Sequence, residues 1–163
     1  YASEGDTALI ARLMENLRNE GVFRVEGEML ERIRSLFKCG WADDAETSAM
    51  IREAWRKDGR LVDPHTAVAL KVARERADRS VPCVVLSTAS PFKFCRDVYI
   101  ALTGRPLEGD LDGFAYMDAL SGLTSENAPA PLAGLRSMPV LHKDVVRPEG
   151  MADFIRAAVA RAF

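Results

Sequence analysis

The sequence lacks the features that mark several large classes of protein. Its 163 residues carry 22 basic and 24 acidic side chains, so the net charge is −2, and neither sign forms a block. A nucleic-acid partner, which needs clustered positive charge, is therefore not expected. No apolar run approaches the roughly 20 residues that cross a bilayer, and the N-terminus lacks the basic and apolar regions of a signal peptide. We expect no membrane partner and a cytoplasmic location.

Cysteines are few, and phosphate-binding glycine loops are missing. Cys39, Cys83 and Cys95 form neither a CxxC pair nor a Cys/His ligand spacing, which predicts reduced thiols, no disulfide framework and no metal site. The GxGxxG and GxxxxGK[ST] patterns do not occur. Hydrophobic residues make up 48% of the chain, which predicts one globular domain with a sizeable core.

Capping residues and apolar spacing predict that helices dominate the chain. Asp6 is a plausible N-cap, and Leu13 lies within an apolar stripe of period about 3.6 that ends at Gly21. Asp43 and Glu46 have the spacing of a capping box. Further helices are predicted around Met29–Phe37, from Asp43 to Gly59, from Asp63 to about Arg76, from Phe94 to Gly104, and from Pro148 onward.

Three other segments predict strands. Val81–Leu86 is β-branched and apolar almost throughout, as in a strand buried on both faces of a parallel sheet. Lys38–Trp41 and Leu61–Val62 are shorter candidates. Helices around a short, mainly parallel sheet define an α/β protein. Because prolines and glycines become frequent after residue 104, we expect residues 105–163 to form an irregular, helical tail packed on residues 1–104.

The residues after the predicted Val81–Leu86 strand form the first candidate site. Ligands of open parallel sheets bind beyond the carboxyl ends of the strands, and Ser87, Thr88 and Ser90 offer three small hydroxyl groups there. A purely structural interpretation is also open. In that interpretation Ser90 is the N-cap of the helix that begins at Pro91, and the other hydroxyl groups bond to the local backbone.

Other polar side chains provide weaker candidates. His65 lies in the first turn of its helix, and a Ser/His/Asp hydrolase could be assembled from it with Ser87 or Ser90, although GxSxG is absent. Lys93 could meet an anionic ligand near a helix N-terminus or could simply be solvated. His142, in the irregular tail, is weaker still.

Two of these segments together resemble a known family. Residues 61–69, LVDPHTAVA, precede residues 86–94, LSTASPFKF, by about twenty positions. The pair resembles threonine synthase, which has a DPHTAV motif followed by a strand that ends STAHPAKF. Residues 43–51 are similar to the helix before these motifs, so residues 41–104 match the family in order and spacing.

The resemblance implies the C-terminal part of a fold type II, tryptophan synthase β-like enzyme that depends on pyridoxal phosphate. Such an enzyme is a carbon–oxygen lyase acting on phosphate. It converts O-phosphohomoserine and water into threonine and phosphate, the last step of threonine biosynthesis. The cofactor, bound to a lysine as a Schiff base, stabilises carbanions during this reaction. Thr88 matches the threonine that hydrogen-bonds the pyridine nitrogen of the cofactor.

The chain also departs from the family pattern. Ser90 stands where the family usually has histidine and Phe92 where it usually has alanine, whereas Lys93 and Phe94 match. The Schiff-base lysine and the glycine-rich phosphate loop of the family lie in earlier sequence, and no segment here matches either. We therefore expect one wall of the cofactor site, the N-terminal remainder of the same enzyme as its partner, and no catalysis by the chain alone. A non-catalytic relative or a binding domain is the alternative.

Overall fold

A computed structural model describes residues 1–162, and helices are its regular elements. The chain divides into two compact units, residues 1–127 and residues 128–163. The first unit contains α1 (Thr7–Glu20), α2 (Gly27–Leu36), α3 (Asp44–Asp58), α4 (Pro64–Arg76), a 3₁₀ turn (Pro91–Phe94), α5 (Cys95–Thr103) and α6 (Gly113–Thr124). The second contains α7 (Ala130–Gly134), 3₁₀ turns at Leu135–Ser137 and Pro148–Gly150, and α8 (Met151–Ala162). The domain boundary expected after residue 104 stays a prediction.

The helix ends follow from the capping residues of the sequence. The Asp6 carboxylate accepts a hydrogen bond from the Leu9 N–H over 2.8 Å at the start of α1. At the start of α3, the Asp43 carboxylate accepts from the Glu46 N–H over 2.7 Å, and the Glu46 carboxylate accepts from the Asp43 N–H over 3.0 Å. This is the expected capping box, which satisfies two otherwise unpaired backbone donors. Gly59 ends α3 with a φ of +61°, a conformation that glycine adopts without steric cost.

The core of the first unit lies among four helices. α3 packs against α4 and α5, and α5 packs against α6. Ile51, Val98 and Leu120 are at most 1% exposed and are the largest apolar side chains of this core that are completely buried. Phe92, which is 3% exposed, is also buried. It ties the 3₁₀ turn before α5 to the folded body.

The predicted sheet is the main error of the sequence analysis. Within residues 1–162, the segments Lys38–Trp41, Leu61–Val62 and Val81–Leu86 contain no β-strand. Residues 82–88 make no backbone–backbone hydrogen bond in the part of the chain that the structure describes. A strand exists only when a neighbouring chain segment accepts and donates these bonds. The segment is consequently irregular, and Val84 and Leu86 are 80% and 73% exposed instead of buried.

The apolar stripe of α1 is only partly buried. Helix formation there was predicted correctly, but Leu13 is the buried residue of α1, and Met14 and Leu17 are 42% and 43% exposed. None of the helices formed by residues 1–162 combines the length and the apolar character that crossing a membrane requires.

The three thiol groups differ in accessibility, which gives a direct test of this fold. Cys39 and Cys83 are exposed, whereas Cys95 is buried and its Sγ lies 3.1 Å from the Gly113 carbonyl oxygen. Burial raises the pKa of the Cys95 thiol, which lowers its reactive thiolate fraction. We expect a thiol reagent at neutral pH to label Cys39 and Cys83 rapidly and Cys95 only after unfolding. Mass spectrometry of the labelled peptides measures this order, and rapid labelling of Cys95 in the native chain would contradict the packing of α5 on α6.

Candidate functional site

The candidate site centres on residues 87–90, here called the hydroxyl loop. It follows the irregular segment 82–86 and leads into the 3₁₀ turn at Pro91–Phe94. Ser90 occupies the N-cap of this turn, and its Oγ accepts a hydrogen bond from the Phe92 N–H over 3.3 Å. The capping role predicted for Ser90 is therefore confirmed. The prediction that the other hydroxyl groups bond to the local backbone is wrong, because neither Ser87 nor Thr88 forms such a bond within residues 1–162. Phe92, the residue that departs from the family alanine, anchors the C-terminal side of the loop in the core.

Thr88 lies in the exposed part of the loop. Its side chain is solvent-accessible, and its hydroxyl group forms no hydrogen bond with any other residue of the described chain. A hydroxyl group can donate one hydrogen bond and accept two, so Thr88 keeps its full capacity for a ligand. The structure thus presents the residue predicted for the cofactor contact as an accessible, uncommitted polar group.

A buried carboxylate lies at the start of α4, next in space to the loop. Asp63 is 0% exposed and caps α4 by accepting from the backbone N–H groups of His65 and Thr66 over 2.9 and 3.4 Å. It also accepts from the Thr66 hydroxyl and lies 3.0 Å from Nδ1 of His65. Burial by itself raises the pKa of the Asp63 carboxyl, but the hydrogen bonds from Thr66 and His65 outweigh it and hold the pKa below its ordinary value of 3.8. Asp63 is therefore an ionised acceptor at neutral pH.

Thr66 connects this carboxylate to the hydroxyl loop. Its Oγ1 lies 3.3 Å from Oγ of Ser87, across 21 positions of sequence. The two hydroxyl groups also border a cavity of about 700 Å³, together with Arg60, Cys83 and Glu126. The sequence analysis missed this connection. Its only signals were that Asp63 and Thr66 lie three positions apart in one motif and that Ser87 precedes Thr88 in the other.

The imidazole ring of His65 has a defined orientation. Because the Asp63 carboxylate can only accept, Nδ1 carries the proton of the neutral ring and Nε2 is left as an acceptor. The ring is 68% exposed and meets Phe94 edge-on with a centroid distance of 5.0 Å. Within residues 1–162, neither Ser87 nor Ser90 is hydrogen-bonded to His65, so the serine hydrolase arrangement is not formed.

The remaining candidates from the sequence are two exposed side chains. Lys93 is exposed on the 3₁₀ turn, and His142 is exposed in the second unit. In the part of the chain that the structure describes, no group of three or more His, Cys, Asp or Glu side chains is placed to hold a metal ion. The polar groups that the structure does bring together are Asp63, His65, Thr66 and Ser87, beside Thr88.

Comparison with known proteins defines the class to which this helical unit and its hydroxyl loop belong. Residues 66–155 match the family described as "Threonine synthase, C-terminal". The match includes α4 from Thr66 onward, the hydroxyl loop and α5. The chain belongs to this family.

Individual relatives agree with this assignment. The chain is 40% identical to a threonine synthase of Pseudomonas aeruginosa over 86 residues, which are 52% of this chain and 18% of that protein. It is 34% identical to a threonine synthase of Escherichia coli over 145 residues, which are 88% of this chain and 33% of that protein. It is also 31% identical to threonine synthase-like 1 of Pongo abelii over 127 residues, 78% of this chain and 16% of that protein.

One solved structure extends the likeness to three dimensions. The crystal structure of PLP-bound threonine synthase from Brucella melitensis superposes with a TM-score of 0.59 at 38% sequence identity. The superposition covers 74% of this chain and 25% of that chain. The present chain thus spans between 16% and 33% of the length of the curated relatives compared here.

Proposed function

We propose that this chain is the C-terminal part of a threonine synthase that depends on pyridoxal phosphate. The complete protein would convert O-phosphohomoserine and water into threonine and phosphate. The observation that carries the proposal is Thr88, an accessible and uncommitted hydroxyl group within a family match that includes the whole loop. The similar crystal structure of threonine synthase from Brucella melitensis, which contains PLP, supports the choice of cofactor.

The chemistry of the loop fits the pyridine nitrogen of this cofactor. When bound, pyridoxal phosphate supplies an electron sink for carbanions formed on the substrate. Thr88 would hold the ring nitrogen by a neutral hydrogen bond. A hydroxyl group stabilises a protonated ring nitrogen less than a carboxylate does, so Thr88 would moderate the strength of the sink. The ionised Asp63 cannot take over this contact, because its side chain is fully buried and already accepts four hydrogen bonds.

In this proposal the chain provides one wall of the active site and not the complete site. The lysine and the glycine-rich phosphate loop implied by the family would come from the remainder of the same protein, which is the proposed partner. The chain by itself would then neither hold the cofactor covalently nor catalyse. The cytoplasmic location expected from the sequence stays a prediction.

A second candidate is a threonine synthase-like protein without this activity. The identity of 31% to threonine synthase-like 1 over 78% of this chain is the observation in its favour. Release of phosphate from O-phosphohomoserine by the complete gene product distinguishes the two. Cofactor binding without phosphate release would favour the second candidate.

Replacement of Thr88 tests the cofactor contact. In the complete gene product, Thr88→Ala should weaken pyridoxal phosphate binding about two- to tenfold, the effect of losing one hydrogen bond of about 0.5–1.5 kcal/mol. Turnover should fall as well. Titration of the protein with the cofactor, followed by the absorbance of the bound form, measures the affinity, and phosphate release measures turnover.

Two matched variants complete this experiment. Thr88→Ser keeps the hydroxyl group and should retain most of the affinity. Thr103→Val removes a hydroxyl group that bonds only the backbone of Tyr99 and Arg105, and should leave cofactor affinity and turnover unchanged. Normal affinity and turnover in Thr88→Ala would refute the assignment of Thr88.

A further inference from the structure

Few hydrogen bonds and packing contacts hold the segment that carries Thr88 to the rest of the first unit. Across residues 82–89, the contact between the side chains of Ser87 and Thr66 is the one hydrogen bond found within residues 1–162. The side chains of Val84 and Leu86 are largely exposed and supply little packing. Ser87 is the residue directly before Thr88. The position of the Thr88 backbone therefore depends on this contact from one side and on the anchored Ser90–Phe92 turn from the other.

The donor and the acceptor of this hydrogen bond can be assigned. A hydroxyl group has one proton, and Thr66 gives it to the Asp63 carboxylate, which can only accept. The 3.3 Å contact is therefore a hydrogen bond that Ser87 donates to Oγ1 of Thr66. Thr66 is itself buried and is hydrogen-bonded to a carboxylate that is 0% exposed. The chain of hydrogen bonds ends on a rigid part of the fold, the capped N-terminus of α4.

We propose that Thr66 and Ser87 are positioning residues that aim the Thr88 hydroxyl group, through the chain of hydrogen bonds Ser87 to Thr66 to Asp63. This proposal rests on the proposed function, because it concerns the cofactor contact of Thr88. Ser87 and Thr66 touch neither cofactor nor substrate in this arrangement. They restrict the conformations of the loop before the cofactor arrives, so that less conformational freedom is lost on binding.

Ser87→Ala is the single variant that tests the positioning role most directly. It removes the donated hydrogen bond and leaves Asp63 and Thr66 bonded to each other. In the complete gene product we expect the dissociation constant of pyridoxal phosphate to rise about two- to tenfold, as for one lost hydrogen bond. The thermal unfolding midpoint of the cofactor-free protein should stay close to that of the parent, because Ser87 is exposed. Thr103→Val serves as the control again.

A double-mutant cycle separates positioning from a general structural effect. If Ser87 acts through Thr88, then Ser87→Ala should cost no further cofactor affinity in a protein that already carries Thr88→Ala. Thr66→Val should reproduce the loss seen with Ser87→Ala, and Thr66→Ser, which keeps the hydroxyl group, should restore the affinity. Cofactor titration by absorbance gives all of these dissociation constants.

Each outcome decides for or against the proposal. Non-additive losses with rescue by Thr66→Ser support it. Two outcomes overturn the positioning role and leave the proposed function standing. One is that Ser87→Ala lowers the cofactor affinity equally in the parent and in Thr88→Ala. The other is that Ser87→Ala leaves this affinity unchanged although Thr88→Ala lowers it. Unchanged affinity in Thr88→Ala overturns both, since nothing would then remain for Ser87 and Thr66 to aim.

Discussion

Replacement of Asp63 by alanine is expected to destabilise the first unit by about 2–4 kcal/mol, more than the loss of an ordinary helix cap. Removing an N-cap costs about 0.5–2 kcal/mol, and a buried donor left without a partner costs about 1–3 kcal/mol. Asp63→Ala does both, because the buried Thr66 hydroxyl loses its acceptor together with the first N–H groups of α4. Chemical denaturation followed by circular dichroism measures the change in the free energy of unfolding.

The exposed cap of α6 provides a matched control. Asp112 accepts from the Ala115 N–H over 2.9 Å at the surface, and no buried side chain depends on it. We expect Asp112→Ala to cost about 0.5–2 kcal/mol, in the range of an ordinary cap. Equal losses from Asp63→Ala and Asp112→Ala would show that the contacts of Asp63 beyond capping contribute nothing to stability.

The same experiment has an expected pH dependence. The pKa of Asp63 is lower in the folded protein than the ordinary value of 3.8 that applies to the unfolded chain. The stability contributed by the carboxylate is therefore complete above the unfolded value and is lost as the pH falls through the folded pKa. The difference between the parent and Asp63→Ala should be constant near neutral pH and should shrink below about pH 3.8.

A large loss of stability from a single apolar substitution is expected at Leu120. Its side chain is 0% exposed in α6, where this helix packs against α5. Leu120→Ala removes buried apolar surface and leaves a cavity in a core of four helices, at a cost of about 2–5 kcal/mol. The free energy of unfolding from denaturant titration gives this value.

Leu123, about one helical turn further along α6, provides the matched control for this substitution. It has the same side chain in the same helix but is 46% exposed. Leu123→Ala should cost less than half as much as Leu120→Ala, because less surface leaves water on folding and no closed cavity forms. A reversed order would mean that α6 is rotated about its axis relative to the structure described here.

The helices could be predicted because their signals are local. The Asp43 and Glu46 side chains bond to backbone groups three residues away, and Asp63 caps the helix that begins at the next residue. The spacing of these residues in the sequence therefore already fixes the geometry. Ser90 was predicted as a possible cap for the same reason.

The strands could not be predicted reliably in this way, because a strand needs a pairing segment from elsewhere in the sequence. The pattern of Val81–Leu86 reports apolar and β-branched side chains, but it contains no information about which segment supplies the paired backbone. Residues 1–162 supply none. The Ser87–Thr66 contact could not be predicted for the same reason, because it too joins distant parts of the sequence. Two hydroxyl groups 21 positions apart carry no sequence signal that they meet, whereas the neighbouring Asp63 and Thr66 are one turn apart.

The exposed segment 82–88 also has a consequence for the chain in concentrated solution. The backbone N–H and C=O groups of this irregular segment are unpaired, and its side chains include the exposed Val84 and Leu86, so a second polypeptide can pair with it as a strand. Natural edge strands commonly carry lysine or proline to prevent this, and here Pro82 protects only the first position. The same segment that presents Thr88 is therefore also a site at which copies of the chain can associate through backbone pairing.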